Sequence, residues 1–160
     1  MRFEFVDRIV KIEMPHRIET LKNVNGLDDV FADHFPGYPV LPGALVVEAF
    51  AQAAQLLIAL SRDFTEVGRL RRLSRVAFRH QVRPGDQLAV RCERRAGEDR
   101  WVLDATAMVE SRRVAVATLE YELEPAAPGT EAERYGVRFR AVARELLPAP
   151  AGVVTRGHDG

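Results

Sequence analysis

Apolar and polar positions divide the chain into strand-like runs on either side of one helix-like run. Residues 3–12 (FEFVDRIVKI) are β-branched and aromatic with partial alternation, which predicts a strand. Met14-Pro15-His16 breaks it, and residues 17–25 alternate again before the turn signal Asn25-Gly26. Residues 27–31 lead into a loop. Residues 34–43 hold three prolines and two glycines, whereas residues 44–60 hold neither and are rich in Ala, Leu and Val. This texture predicts a stiff loop feeding a helix, with Pro42 just inside or before the helix start, where its missing N–H costs nothing. Residues 61–68 read as a polar connection. Four strand-like runs follow, at 69–79, 87–95, 100–109 and 113–122, separated by turns such as Arg83-Pro84-Gly85-Asp86. Short links make antiparallel neighbours. The order β-β-α-β-β-β-β, with one long buried helix against an antiparallel sheet, is an α+β architecture.

The helix is apolar on almost every side, so burial on all faces is expected. Glu48, Gln52 and Gln55 are the polar exceptions and share one stripe at i, i+4 and i+7. An ionised carboxyl among Val46, Val47, Ala49 and Phe50 is costly to bury, so a raised pKa and a functional role are expected for Glu48. The run of 17 residues is at the short limit for a bilayer and contains three polar side chains, so no membrane span is expected.

The stretch HFPGYPVLPGALVVEAFAQ resembles the signature of the 3-hydroxyacyl-[acyl-carrier-protein] dehydratases of the FabZ type, which have a hot-dog fold. It meets the pattern H-F-P-G-x-P-x-x-P-G-x-L-x-x-E-A-x-A-Q at every fixed position. The resemblance extends through FVDRIV, LKNVN and RVAFRHQVRPGDQL, over roughly residues 3 to 124. It implies that an antiparallel sheet wraps the central helix. It also implies dehydration of 3-hydroxyacyl thioesters to trans-2-enoyl thioesters, with His34 as catalytic base and Glu48 as catalytic acid. Glu48 would be supplied by the partner subunit of a homodimer with shared active sites, which could assemble further as a trimer of dimers. Gly43 would offer its backbone N–H to the thioester carbonyl, and Gln52 would hold Glu48. Phe35, Gly37, Tyr38 and Phe78 complete the substrate-binding set. A glutamate at position 48 fits the FabZ type better than the related dehydratase–isomerase. Asp33 stands where the family usually has Gly, a position that would suit Asp if it needs positive φ, although its charge favours a protonated His34. Tyr38 stands where polar residues are commoner.

The residue types support the same chemistry. Dehydration needs a base for the α-proton, an acid for the leaving hydroxyl and donors for an enolate-like oxygen. Neutral His34, protonated Glu48 and a helix N-terminus at Gly43 supply all three within fifteen residues. No metal-ligand spacing is visible, and no cofactor is expected beyond the phosphopantetheine of the acyl carrier protein that bears the substrate. Alternative readings are a hot-dog acyl-thioester hydrolase, with Glu48 activating water, and a non-catalytic acyl-carrier-binding subunit.

Composition narrows the rest. A chain of 160 residues with 47% hydrophobic content makes one domain with a sizeable core. Zero net charge and no aromatic platform among the arginines argue against nucleic acid. The single cysteine, Cys92, reads as a strand residue rather than a nucleophile. A charged N-terminus with no apolar signal core leads to a cytoplasmic expectation. Seven arginines against Asp63 and Glu66 between positions 62 and 83 make a local charge of +5, either a solvated face or a docking surface for an acidic carrier protein. Residues 1–124 are expected to form the dehydratase domain, and 125–160 a separable extension dispensable for the chemistry. The extension begins with a PAAPG linker and carries a helical stripe of Tyr135, Phe139, Val142 and Leu146, weakened by Gly136. It ends in a segment of disordered composition.

Overall fold

The computed structural model describes residues 4–26, 29–97 and 99–147. β1 (Arg8–Glu13) and β2 (Arg17–Asn23) form a hairpin. A one-turn helix α1 (Val30–Asp33) precedes the proline loop, and the long helix α2 spans Gly43–Ser61. β3 (Glu66–Phe78), β4 (Gln87–Arg94), β5 (Trp101–Val109) and β6 (Arg112–Pro125) complete one sheet, and helix α3 (Glu131–Leu146) follows. The sheet order is β1-β2-β4-β5-β6-β3, and every neighbouring pair is antiparallel. α2 therefore carries the chain across the face of the sheet, from the β1–β2 end to the opposite edge.

Period-two alternation puts one residue set under that helix: Ile18 and Thr20, then Leu88, Val90 and Cys92, then Leu103, Ala105, Ala107 and Val109, and Ala115, Ala117, Leu119 and Tyr121, all buried. At the centre Ala105 faces Ala117 and Ala107 faces Ala115 across β5 and β6. Small residues there give room for α2, which buries Ala49, Phe50, Ala53, Ala54 and Leu57. Each Leu or Phe so buried contributes about 1.5–3 kcal/mol. Gly68 marks a second close approach, since a Cβ there would lie 2.7 Å from Ile58 Cδ1. Cys92 Sγ and the Tyr121 hydroxyl reach the α2 carbonyls of Phe50 (3.7 Å) and Ala51 (3.3 Å). Burial pushes the Cys92 thiol up to about 12, which suits a packing residue rather than a nucleophile.

α2 is long and apolar enough to cross a membrane by length and composition, but here it is the core helix of a wrapped sheet. It begins at Gly43, with Pro42 at the N-cap. Other boundaries differ from the sequence reading. β1 starts at Arg8, while Phe5 and Val6 are buried without joining the sheet. α1 was not expected. β3 begins at Glu66, inside the stretch read as a connection.

Pro125 is the last residue of β6, and Ala126 N–H donates to the Thr65 carbonyl at 2.9 Å, so the supposed linker is stitched to the sheet edge. α3 then docks on α2 and β3. Phe139, Val142 and Leu146 of the expected stripe pack on the core, while Tyr135 remains 43% exposed. Gly136 has a reason to be small: a Cβ there would lie 3.3 Å from the Phe64 carbonyl oxygen. The segment expected to be disordered, residues 148–160, lies outside the described residues.

Candidate active site

The histidine loop is held at both ends. His34 N–H donates to the Val30 carbonyl (3.2 Å), and Val40 N–H donates to the His34 carbonyl (3.0 Å). Leu41 N–H ties the loop to the Val82 carbonyl at 2.7 Å. Between them, Phe35 and Tyr38 exchange backbone bonds around a turn in which Gly37 has φ +75°, a conformation that favours glycine. Asp33 is helical and exposed, so the replacement of Gly by Asp needs no left-handed backbone. His34 Nδ1 lies 2.9 Å from the Val40 carbonyl oxygen. A carbonyl can only accept, so Nδ1 carries the proton, and the neutral ring presents Nε2 as an unprotonated base. The ring also stacks on Phe35, centroids 4.1 Å apart.

His34, Gly43 and Phe78 line one cavity of about 380 Å³, with Val46 of α2 and Ala115 of β6 among its walls. Leu45 and Val46 N–H groups both turn back to the Pro42 carbonyl. The amides of Gly43 and Ala44 have no acceptor among the described residues, so the cavity meets free donors at the positive end of α2. Gly43 is required by close approach: a Cβ would lie 2.8 Å from the Phe78 ring. Tyr38 is outside the wall. Its hydroxyl donates to Gln81 Oε1 (3.0 Å), and the Arg83 guanidinium covers its ring at 4.4 Å. Gly37 and Phe35 shape the loop rather than line the cavity.

Glu48 is exposed on the outward face of α2, not buried as its apolar neighbours suggested, and it does not line the cavity that holds His34 of its own chain. Gln52 Nε2 donates to Glu48 Oε1 at 2.8 Å, and Gln52 Oε1 accepts from Phe5 N–H at 2.8 Å, so Gln52 does hold the carboxylate.

A family profile described as the FabA-like domain matches residues 1–118. The chain belongs to the FabA-like family. Within it, the 3-hydroxyacyl-[acyl-carrier-protein] dehydratase FabZ of a Nitratiruptor species is 37% identical over 127 residues, which are 74% of this chain and 85% of that protein. The FabZ of Granulibacter bethesdensis is 35% identical over 135 residues, 82% of this chain and 79% of that one. Among solved structures, smu.793 from Streptococcus mutans UA159 bound to acetyl CoA matches with a TM-score of 0.62 at 18% identity, over 78% of this chain and 93% of that one. A hot-dog-like protein from Thermanaerovibrio acidaminovorans matches at 0.59 and 18%, over 78% and 89%. The fold is the hot-dog fold.

Two further groups of this FabA-like chain escaped the sequence reading. The Val40 carbonyl sets the histidine tautomer, and a backbone group leaves no mark in side-chain spacing. Arg79, His80 and Gln81 wall the His34 cavity and also bound a second one of about 480 Å³, completed by Arg83, Asp86 and Arg112. They follow Phe78 directly in the FRHQVRPGD stretch. The +5 surface is smaller than the count implied. Arg69, Arg71 and Arg72 pair across strands with Glu124 (2.9 Å), Glu122 (2.6 Å) and Glu120 (3.9 Å), and Arg62 pairs with Glu66 (3.4 Å).

Proposed function

We propose that the protein dehydrates 3-hydroxyacyl thioesters carried on acyl carrier protein to trans-2-enoyl thioesters; its FabZ relatives are 3-hydroxyacyl-[acyl-carrier-protein] dehydratases. The observation that carries this reading is the Nδ1–Val40 bond, which leaves Nε2 of His34 free in the same cavity as the Gly43 amide. Nε2 takes the α-proton, and the Gly43 N–H bonds the thioester oxygen as charge develops there. Glu48 acts as the acid and gives a proton to the departing 3-hydroxyl, which leaves as water. The His34 proton then returns to Glu48 through solvent, and the cycle closes.

Glu48 faces outward, so a second copy of the chain supplies it. β3 is a free edge strand of 13 residues, with Leu70, Leu73 and Val76 each more than a third exposed. Pairing these edges brings two chains together as a homodimer. The carrier's phosphopantetheine arm enters past Arg79, Arg83 and Arg112, whose cavity adjoins the catalytic one. Residues 1–124 hold the reacting groups, no metal or cofactor takes part, and the enzyme works in the cytoplasm alongside its carrier.

The test is incubation of the purified protein with 3-hydroxyacyl carrier protein, followed by intact-mass spectrometry. Loss of one water, reversed with enoyl carrier protein, is expected. Release of free carrier thiol without enoyl product would make it a hydrolase, and binding without turnover a non-catalytic subunit.

A further inference from the structure

The polar stripe of α2 runs from Glu48 through Gln52 and Gln55, and its next position is Ala59. Exposure changes along it: Glu48 is exposed, Gln52 and Gln55 are half-buried, and Ala59 is 1% exposed. The stripe closes where α3 docks on α2 and β3. α3 lies beyond residues 1–118, the part that matches the family. Between the two helices and β3 is a cavity of about 240 Å³, bounded by Gln55, Val67, Gly68, Leu70, Tyr135 and Phe139, with the Arg69–Glu124 pair and Glu131 on its charged side. Gln55 Nε2 reaches the Gly68 carbonyl at 3.4 Å, at the border between stripe and cavity. At 1.5 Å per residue, Gln55 is about 10 Å further along α2 than Glu48.

We propose that α3 is the end wall of the acyl site, with Phe139 and Tyr135 as the residues that limit acyl length. This rests on the dehydratase reading. A substrate whose 3-hydroxyl meets Glu48 lays its alkyl tail along the half-covered face of the same α2, toward Gln55. A medium-length tail fills the cavity under Phe139 and Tyr135, and a longer one meets their rings.

The experiment uses the full chain and its Phe139→Ala and Tyr135→Ala variants. Affinities are measured by calorimetry for 3-hydroxyacyl pantetheine amides, which lack the scissile thioester, from butanoyl to hexadecanoyl. The ratio of kcat/KM for long to short carrier-linked substrates is measured alongside. Each newly buried methylene should tighten binding about fourfold until the tail reaches α3, where the gain stops. In both variants the break should move to longer chains, and the long-to-short ratio should rise at least tenfold. Tyr135 is nearly half exposed, so its truncation leaves a folded protein. A break at the same length in all three proteins, or no break in any, overturns the proposal. If the break moves but no chain length is dehydrated, the end wall stands and the dehydratase reading falls. If dehydration proceeds with the break unmoved, the reverse holds.

Discussion

At the scale of single residues, one backbone carbonyl orients the histidine of the proposed site. The Val40 oxygen accepts a hydrogen bond from His34 Nδ1–H, which leaves Nε2 as the proposed base without a carboxylate partner. His34→Ala and Glu48→Gln should each lower kcat by about 10²–10⁴-fold, with melting temperature unchanged. The amide in Glu48→Gln keeps the Gln52 contact region filled but cannot deliver a proton as an acid does. Near-native rates in Glu48→Gln would remove Glu48 from the mechanism. A separate prediction concerns Asp104 on β5. Arg95, bonded to it at 2.7 and 2.8 Å, holds its carboxyl below the ordinary value against the effect of burial, and Thr118 adds a bond at 2.8 Å. A depressed folded-state pKa contributes stability above the unfolded value, and that stability is lost as pH falls through the folded one. The pair is half-exposed, so its worth is about 0–1 kcal/mol. Asp104→Asn should lower the melting temperature slightly at neutral pH, and the gap should shrink to nothing in strong acid. A gap independent of pH would contradict this.

At the scale of elements, legibility follows backbone chemistry. The stretch from His34 to Gln55 can be read because Pro and Gly dictate a loop, and an unbroken Ala-rich run dictates a helix. The short α1 has too few residues for any periodicity to show. The start of β3 is hidden because Glu66 and its neighbours lie on an edge strand, where one side meets solvent. Glu48 reads as buried because Val46, Val47, Ala49 and Phe50 beside it look like core residues, yet the face of α2 that carries Val47 and Glu48 is only partly covered within one chain. Sequence pattern does not say whether a helix face is covered by its own sheet or by a second molecule. α3 is legible as a stripe, and its cap is visible in the structure. The Thr130 hydroxyl accepts from Glu133 N–H (3.1 Å), and the Glu133 carboxylate accepts from Gly129 N–H (2.7 Å). Thr130→Ala should cost about 1 kcal/mol in chemical denaturation. Gly136→Val, which would press on the Phe64 carbonyl, should cost more, about 1–3 kcal/mol. Wild-type stability in both variants would mean that α3 does not hold its docked position in solution.

For the whole molecule, charge has to be counted after folding. β3 carries a run of arginines in sequence, but its Glu partners stand on β6, some fifty residues away in the chain. The cations left without an acidic partner among the described residues include Arg79 and Arg112, which bound the cavity adjoining that of His34. Arg79→Glu and Arg83→Glu should therefore raise the apparent KM for carrier-linked substrate about tenfold and spare small thioester analogues. The effect should fade as salt shortens the Debye length to about 3 Å at 1 M. Arg71→Glu should do less in the same assay, because Arg71 already serves Glu122. Equal losses on carrier-linked and small substrates would mean damage to the fold instead.

The central claim is that His34 of one chain and Glu48 of another form one site, and the most direct measurement is complementation. His34→Ala and Glu48→Ala proteins, each inactive, are unfolded together and refolded as a mixture. In random pairing half the dimers are mixed, and each mixed dimer holds one intact site of two, so about one quarter of wild-type turnover should return. Heterodimers verified by mass spectrometry that recover no activity would show that both groups act from the same chain, or that one of them does not act at all.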